Sequence, residues 1–372
     1  MPRISVVVPI FNGVAFLPAF FDSLAAALPD GSELILVDDA STEPVWETVP
    51  ELGAAAAVVR LSNDRNLGYA GAINRGLDQV TGDIVVQLNT DLVLHPECVT
   101  AMIDVIERED RVGIVGSKLV FPTTGTVQHV GMAIGNHTKP HVFLDLPALH
   151  PLCCVTRELQ VLTGATVTMT RRVLDLLGPL DTGYYNVNND IEHCLMARER
   201  GLRNFVCADS VAHHWESHSG PARFARLAPG EAMFWSRWGA RAEPDLGRFF
   251  DEALDHVLGE APELGAVDFD LLDLSRGADQ PIALERLDRR WPGIARGGRH
   301  FRQTNNPAGR LKLPLVLPHW LANDPTPFLY LVDGYRELEE NRLWFENRAR
   351  IVEDELIVDL TGVAIRASEL RG

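Results

Sequence analysis

Leu88-Asn89-Thr90-Asp91-Leu92-Val93-Leu94-His95-Pro96 is the stretch from which the fold is read. The apolar run leading into it, Ile84-Val85-Val86-Gln87-Leu88, predicts a buried strand. That strand ends in Asn89-Thr90-Asp91, so a carboxylate stands where a strand gives way to a loop. Ligands of open α/β sheets gather beyond the carboxyl ends of the strands. A carboxylate in that place can hold a divalent ion, and the ion can hold a diphosphate. The role of Asp91 then depends on whether the rest of the chain supplies a nucleotide pocket and a base.

Outward from this stretch, residues 3–116 alternate strand and helix. Strands are expected at 4–8, 33–37, 55–61, 83–88 and 112–115, and helices at 14–28, 69–80 and 96–108. This is the pattern of a doubly wound, mostly parallel sheet flanked by helices. From Lys118 to about His218, strand-like pieces at 118–121, 127–134 and 160–169 are interrupted by Gly and Pro. A helix over 190–200 and a strand near Phe205 come next, which reads as a second half of the same domain with mixed strand directions. Beyond Gly220 the character shifts. Residues 251–279 hold nine acids and one Arg, the mark of a solvated face, and 332–354 reads as an exposed helix. The expected organisation is a domain over 1–220, with halves 1–116 and 117–220, and a mainly helical extension over 221–372 that serves acceptor binding or self-association.

Composition narrows the functions. A length of 372 residues suits two domains or one domain with an extension. The net charge of −17 argues against nucleic acid and against electrostatic docking on anionic lipid. No apolar run approaches the roughly 18–20 residues of a membrane span, and the N-terminus enters a strand without a signal-peptide layout. Five cysteines without regular spacing suggest reduced thiols and a cytoplasmic protein. Cys153-Cys154 reads as two small buried thiols more readily than as a redox pair.

Further constellations could carry chemistry. Val8-Pro9-Ile10-Phe11-Asn12-Gly13 lacks the Gly-x-Gly-x-x-Gly of a dinucleotide site. Pro9 and Phe11 could wall a nucleobase, or the segment could be an ordinary strand-to-helix turn. Asp38 and Asp39 end a strand and could accept from a base N–H and a ribose hydroxyl, while Ser41 or Thr42 caps the next helix. Asn66, Gly68, Gly71 and Asn74 lie in a stretch where small residues open a helix, so that backbone amides can face an anion, with Arg75 offsetting its charge. A Gly-rich turn before a core helix accounts for the same residues. Thr163-Gly164-Ala165 could take an acceptor sugar or a donor phosphate against backbone. Asn188-Asn189-Asp190 opens a helix; there the dipole favours an ionised Asp190 that could accept a proton from an attacking hydroxyl, or Asp190 simply caps the helix. Three histidines, His213, His214 and His218, lack structural-zinc spacing. One of them could complete a Mn²⁺ or Mg²⁺ shell with Asp91, or all could be surface residues.

In this order the motifs resemble the inverting family 2 glycosyltransferases of GT-A fold, over Ile4 to His218. Val-Val-Pro-Ile-Phe-Asn, Val-Asp-Asp-Ala-Ser-Thr, Asn-x-Gly-Tyr-Ala-Gly-Ala-x-Asn-x-Gly and Leu-Asn-Thr-Asp carry the likeness, and Asn-Leu-Gly-Tyr-Ala-Gly is similar to rhamnosyltransferase-like members. The resemblance implies a Rossmann-like GT-A domain and a donor site made by Pro9, Phe11, Asn12, Asp38, Asp39, Asn66, Gly68, Asn74, Asn89 and Thr90. It implies a metal, Mn²⁺ or Mg²⁺, on Asp91 and His214 (or His213), a general base at Asp190, and acceptor contacts at Gly164, Ala165 and Asn189. Asn89 stands where the metal motif has its first acid, and Asn189 where an acid usually precedes the base. The implied reaction is single displacement of a sugar from a nucleoside diphosphate (UDP, dTDP or GDP) to a glycan, lipid-linked or small-molecule hydroxyl, in polysaccharide biosynthesis. The implied place is the cytoplasm or, peripherally, the inner face of the membrane. Two rivals are a sugar-nucleotide-binding protein without catalysis, motivated by Asn189, and a sugar-phosphate nucleotidyltransferase, which would want a basic Gly-rich loop that Asn12-Gly13-Val14-Ala15 is not.

Overall fold

The computed structural model describes residues 3–50, 56–215, 227–301 and 311–371. The chain divides into two compact units, residues 1–132 with 147–243 and residues 133–146 with 244–372.

The first unit is built on one sheet of ten strands. These are β1 (Ile4–Ile10), β2 (Ser32–Asp38), β3 (Ala56–Ser62), β4 (Ile84–Leu88), β5 (Leu92–Leu94), β6 (Val112–Val120), β7 (Val127–His129), β8 (Arg157–Leu159), β9 (Thr166–Thr170) and β10 (Arg203–His214). Their order is β3-β2-β1-β4-β9-β6-β10-β5, with β7 on β6 and β8 on β10. The strands β3, β2, β1 and β4 are all parallel. Beyond β4 the sheet is mixed, as the change of pattern after Lys118 predicts: β9 runs antiparallel to β4, β10 parallel to β6, and β5 antiparallel to β10.

Helices α1 (Leu17–Ala27), α2 (Gly68–Leu77), α3 (Cys98–Arg108), α4 (Arg171–Leu177), α5 (Asn189–Glu199) and α6 (Leu227–Trp238) complete the unit. Strands covered on both faces read as near-continuous apolar runs, and β1 and β4 do. Ile4, Val6, Val8, Ile84, Val86 and Leu88 pack with Phe20, Leu24, Val99 and Met102 in one core. On the other face α2 lies against the sheet at Gly76, where a Cβ would come within 2.4 Å of Val7 Cγ1. The α/β class with a helix-flanked sheet stands as expected. Two strands of this unit escaped the sequence reading, β5 and β8; β5 comes directly after Asp91, so Asp91 lies between two strands.

The second unit has a sheet of β11 (Asp270–Asp273), β12 (Arg299–His300), β13 (Phe328–Val332), β14 (Leu356–Asp359) and β15 (Ala364–Arg366) in the order β12-β11-β13-β14-β15, antiparallel only at β15. Helices α7 (Leu246–Glu260) and α8 (Gln280–Arg290) belong to it. Helical residues outnumber strand residues, yet the parallel sheet was not foreseen, because its strands are only two to five residues long. Two expectations are corrected. The division falls at 243/244 and not at 220/221, because α6 belongs with the first unit. The exposed helix of 332–354 is instead a 3-10 turn, Tyr335–Asn341, and a short helix, Arg342–Arg348, that buries Trp344, Phe345 and Arg348. Its charges mislead because Arg348 is buried against Glu355, 2.7 Å away. The acidic run 251–279 likewise includes buried Asp273 and Asp279. None of the five cysteines forms a disulfide among the described residues; Cys153 is buried but Cys154 is exposed.

Candidate active site

The carboxyl ends of β1 and β4, the start of α2, the loop before β9 and the start of α5 surround one cleft of about 390 Å³. A cleft of this size suits a small-molecule ligand. Its lining takes in Pro9, Phe11, Asn12, Asp39, Asn66, Gly68, Asn89, Thr90, Asp91, Gly164, Ala165, Asn189, Asp190 and His214. Asp91 and Asp190, 99 positions apart in the chain, thus face one space.

Strand pairing puts His214 beside Asp91. His214 is paired with Leu92 in the β5–β10 ladder, and its Nε2 lies 3.2 Å from Asp91 Oδ1. On the far side of the ring, His214 Nδ1 is 2.7 Å from Gln128 Oε1, and the Gln128 amide donates back to the His214 carbonyl at 3.5 Å. That orientation of the amide sets Nδ1 as the donor and turns Nε2 toward Asp91. An imidazole nitrogen and a carboxylate oxygen so placed fit a Mn²⁺ or Mg²⁺ ion. Among the described residues no group of three His, Cys, Asp or Glu could hold a metal, so this pair would leave most of a coordination shell to the ligand and to water. His213, one residue earlier on the strand, is exposed, and His218 lies outside the described residues.

Asp190 is the second residue of α5. Its Oδ2 accepts the Gly164 N–H at 2.6 Å and its Oδ1 accepts the Ile191 N–H at 2.9 Å. The cap position belongs to Asn188, in a left-handed conformation that Asn tolerates (φ 64°), so Asp190 does not cap the helix. Gly164 is tied in turn to α2, because the Tyr69 hydroxyl donates to its carbonyl at 2.9 Å. A Cβ on Gly164 would press on Asp190 and on the Tyr69 hydroxyl at 3.1–3.2 Å. Burial and the nearby Asp190 push the Tyr69 phenol far up, so it remains a donor. Asn189 is buried and donates to the Asp181 carbonyl at 3.2 Å.

Three expected roles find other occupants. The first-turn amides of α2 face no open anion site. Leu67 and Gly68 N–H bond to Asp39 at 2.8 and 2.9 Å, and Tyr69 N–H to Asn186 Oδ1 at 2.7 Å. Asp39, which also accepts from Asn63 Nδ2, is itself the anion at that helix start. Arg75 donates to Asn63 Oδ1. Asp38 and Asn74 do not line the cleft: Asp38 accepts the Ser41 N–H in a turn, and Asn74 clamps the backbone of Leu180 through both ends of its amide. Asn12 lines the cleft at φ 56° while its Oδ1 accepts the Thr42 N–H at 2.8 Å.

Sequence reasoning gave no role to Phe16, Tyr69, Tyr185 and Asn186 in the lining, or to Gln128 behind His214. Tyr185 sits at φ 63° and its hydroxyl donates to Asn66 Oδ1 at 2.8 Å. Gly68 is required beneath it, because a Cβ there would meet the Tyr185 ring at 2.7 Å with φ already at +76°.

An α/β sheet with a cleft at its carboxyl edge, lined by a carboxylate–imidazole pair and a further carboxylate, defines a class of small-molecule site. Residues 5–161 match the model of glycosyl transferase family 2. Asp190 and His214 lie beyond the matched residues. The chain is similar to the O-antigen biosynthesis protein RfbC of Myxococcus xanthus, 31% identical over 248 residues that make up 64% of this chain and 19% of that protein. It is also similar to an undecaprenyl-phosphate 4-deoxy-4-formamido-L-arabinose transferase of Yersinia pestis (strain Pestoides F), 36% identical over 30% of this chain and 36% of that one. The chain thus spans about a fifth and about a third of these relatives. Among solved structures it is similar to a mannosyltransferase of Pyrobaculum calidifontis in complex with GDP-Man and Mn²⁺, at 16% identity and a TM-score of 0.44, covering 79% of this chain and 84% of that one. No helix among the described residues is long and apolar enough to cross a membrane.

Proposed function

We propose that this chain transfers a sugar from a nucleoside-diphosphate donor to a hydroxyl of an acceptor, by a single displacement that inverts the anomeric carbon. The observation that carries this reading is that Asp91 and Asp190 line one cleft. Pro9, Phe11 and Asn12 offer an apolar and polar wall for the nucleoside. Asp91 and His214 would hold a Mn²⁺ or Mg²⁺, which when bound supplies charge stabilisation for the departing diphosphate. Asp190, held by the Gly164 N–H and at the start of α5, takes the proton from the acceptor hydroxyl as its oxygen attacks. Gly164, Ala165 and Asn189 lie on the same wall and offer backbone and amide contacts to the acceptor. A retaining double displacement would need a nucleophilic carboxylate on the opposite face of the sugar from the leaving group. Asp39, the third acid of the cleft lining, is bonded to the start of α2. The relatives' names, O-antigen biosynthesis and undecaprenyl-phosphate transfer, favour a glycan or lipid-linked acceptor.

The test is incubation with UDP-, GDP- and dTDP-sugars, Mn²⁺ and a set of glycan and polyprenyl-phosphate acceptors, with release of nucleoside diphosphate as the readout. Acceptor-dependent release from one donor is expected. Tight donor binding with no release under any pairing would support a binding protein instead.

A further inference from the structure

Behind the cleft, one polar group stands out. Gln87 on β4 is 2% exposed, and its Nε2 donates to no protein atom. Ile84, Val86 and Leu88 point into the core that includes Phe20 and Met102, so alternation along the strand turns Gln87 to the other face. There it borders a narrow space of about 10 Å³ together with Gly164, Asp190, Tyr69, His193 and Cys194, while apolar side chains supply the remaining walls. Leaving a buried amide N–H without a partner is costly. A space of this size accommodates one water, provided that polar groups surround it.

We propose that a single water fills this space, accepting from Gln87 Nε2 and donating to the Asp190 carboxylate, and that Gln87 is thereby a positioning residue for the base. The inference rests on the reading of Asp190 as that base. A donor directed at a carboxylate favours its ionised form, so Gln87, through the water, helps hold Asp190 ready to accept a proton. The other titratable neighbours do not take over this task. Tyr69 from α2 is held protonated by burial and donates to Gly164. His193 is held neutral by burial, with its Nε2 3.4 Å from the Pro179 carbonyl, and the Cys194 thiol is pushed up by burial. Glu192 on the same helix engages Tyr184, Arg237 and Trp238. Asp39, Asp91 and His214 border the open cleft and not this space.

The test is Gln87→Met, which preserves length and removes the donor. The acid limb of kcat/KM for the acceptor should move up by about one pH unit, which lowers the rate about tenfold at pH values below both limbs and leaves it unchanged on the plateau. Donor KM should stay the same. In parallel, a high-resolution crystal structure of the unmutated protein should show a water within hydrogen-bond distance of Gln87 Nε2 and Asp190. An unshifted acid limb in Gln87→Met, or an empty space in an active enzyme, overturns this inference alone. An unmutated protein that transfers no sugar sinks the reading of Asp190 and the role of Gln87 with it.

Discussion

Both units place acids at the carboxyl edge of a parallel sheet, and in the first unit two acids at that edge line a cleft of about 390 Å³. In the second unit, Asp273 accepts from the Ser275 N–H and hydroxyl and from Gln280, and it lies 2.8 Å from His300 Nδ1. Asp333 accepts from Arg276 and the Gly277 N–H, and Asp359 from Tyr335, Thr361 and Val363 N–H groups. These acids fasten turns. In the first unit, Asp38 fastens a turn in the same way, Asp39 fastens the start of α2 while lining the cleft, and Asp91 and Asp190 line that cleft too. Standing at the sheet edge is therefore not enough to define a site. What distinguishes Asp91 and Asp190 is that, besides their partners within the chain, they line the cleft of about 390 Å³.

The strongest attack on this contrast is Asp190→Asn. Transfer should fall by about 10²–10⁴-fold, the usual contribution of a positioned base, while donor affinity measured by calorimetry stays within about twofold, since the base acts on the acceptor. Undiminished transfer would remove Asp190 from the site and leave the two units alike. Next in size is a change confined to the second unit. Arg348 is wholly buried, 2.7 Å from Glu355, and donates to the Leu321 carbonyl at 3.0 Å. Arg348→Met strands Glu355 as an uncompensated buried charge and should cost about 3–5 kcal/mol in urea unfolding. Donor affinity should not change at temperatures where the variant is folded; if it did, the second unit's charges would be doing more than fastening structure.

Asp91→Ala should weaken donor binding about tenfold in Mn²⁺, or about 1.4 kcal/mol, and make little difference with the metal chelated. Equal losses in both conditions would reassign Asp91 to direct contact with the donor. The same measurement on Asp38→Asn should show no loss, because that carboxylate is engaged by Ser41.

The same contrast explains how much of the molecule was legible in the sequence. Periodicity located β1, β2, β4 and α3, because apolar strands ending in polar loops are local signals; Asp91, Asp190 and His214, singled out from their motifs, line one cleft. Hydrogen-bond competition is not local. Asp39 and the first-turn amides of α2 each looked available, and only folding reveals that they satisfy one another. Gln128 reaches His214 across 86 positions through the β6–β7 and β6–β10 ladders, with no mark in its own neighbourhood. The second unit's sheet was hidden because short strands between charged turns carry too few residues to display a period, and its buried Arg348 made a core helix look solvated.

The smallest effect concerns pH, and it has opposite signs in the two units. His193 is 3% exposed behind Asp190, and burial lowers its pKa below the ordinary value near 6.5. Between that lowered value and about 6.5 the unfolded chain binds more protons than the folded one, so stability rises with pH through this window. It is complete above the ordinary value and lost as the pH falls. Asp359 runs the other way: burial pushes its carboxyl up to about 6 in spite of its N–H donors, so the folded form holds the extra proton. Its contribution therefore declines as pH rises from the ordinary carboxylate range to about 6. Urea midpoints of His193→Gln, compared with the unmutated protein at pH 5 and pH 7.5, should show a flatter rise with pH, while Asp359→Asn should show a steeper one. A His193→Gln variant with an unaltered slope would mean that the ring takes up its proton freely in the fold. The wall behind Asp190 would then admit a charged ring, and burial would not be what keeps His193 neutral there.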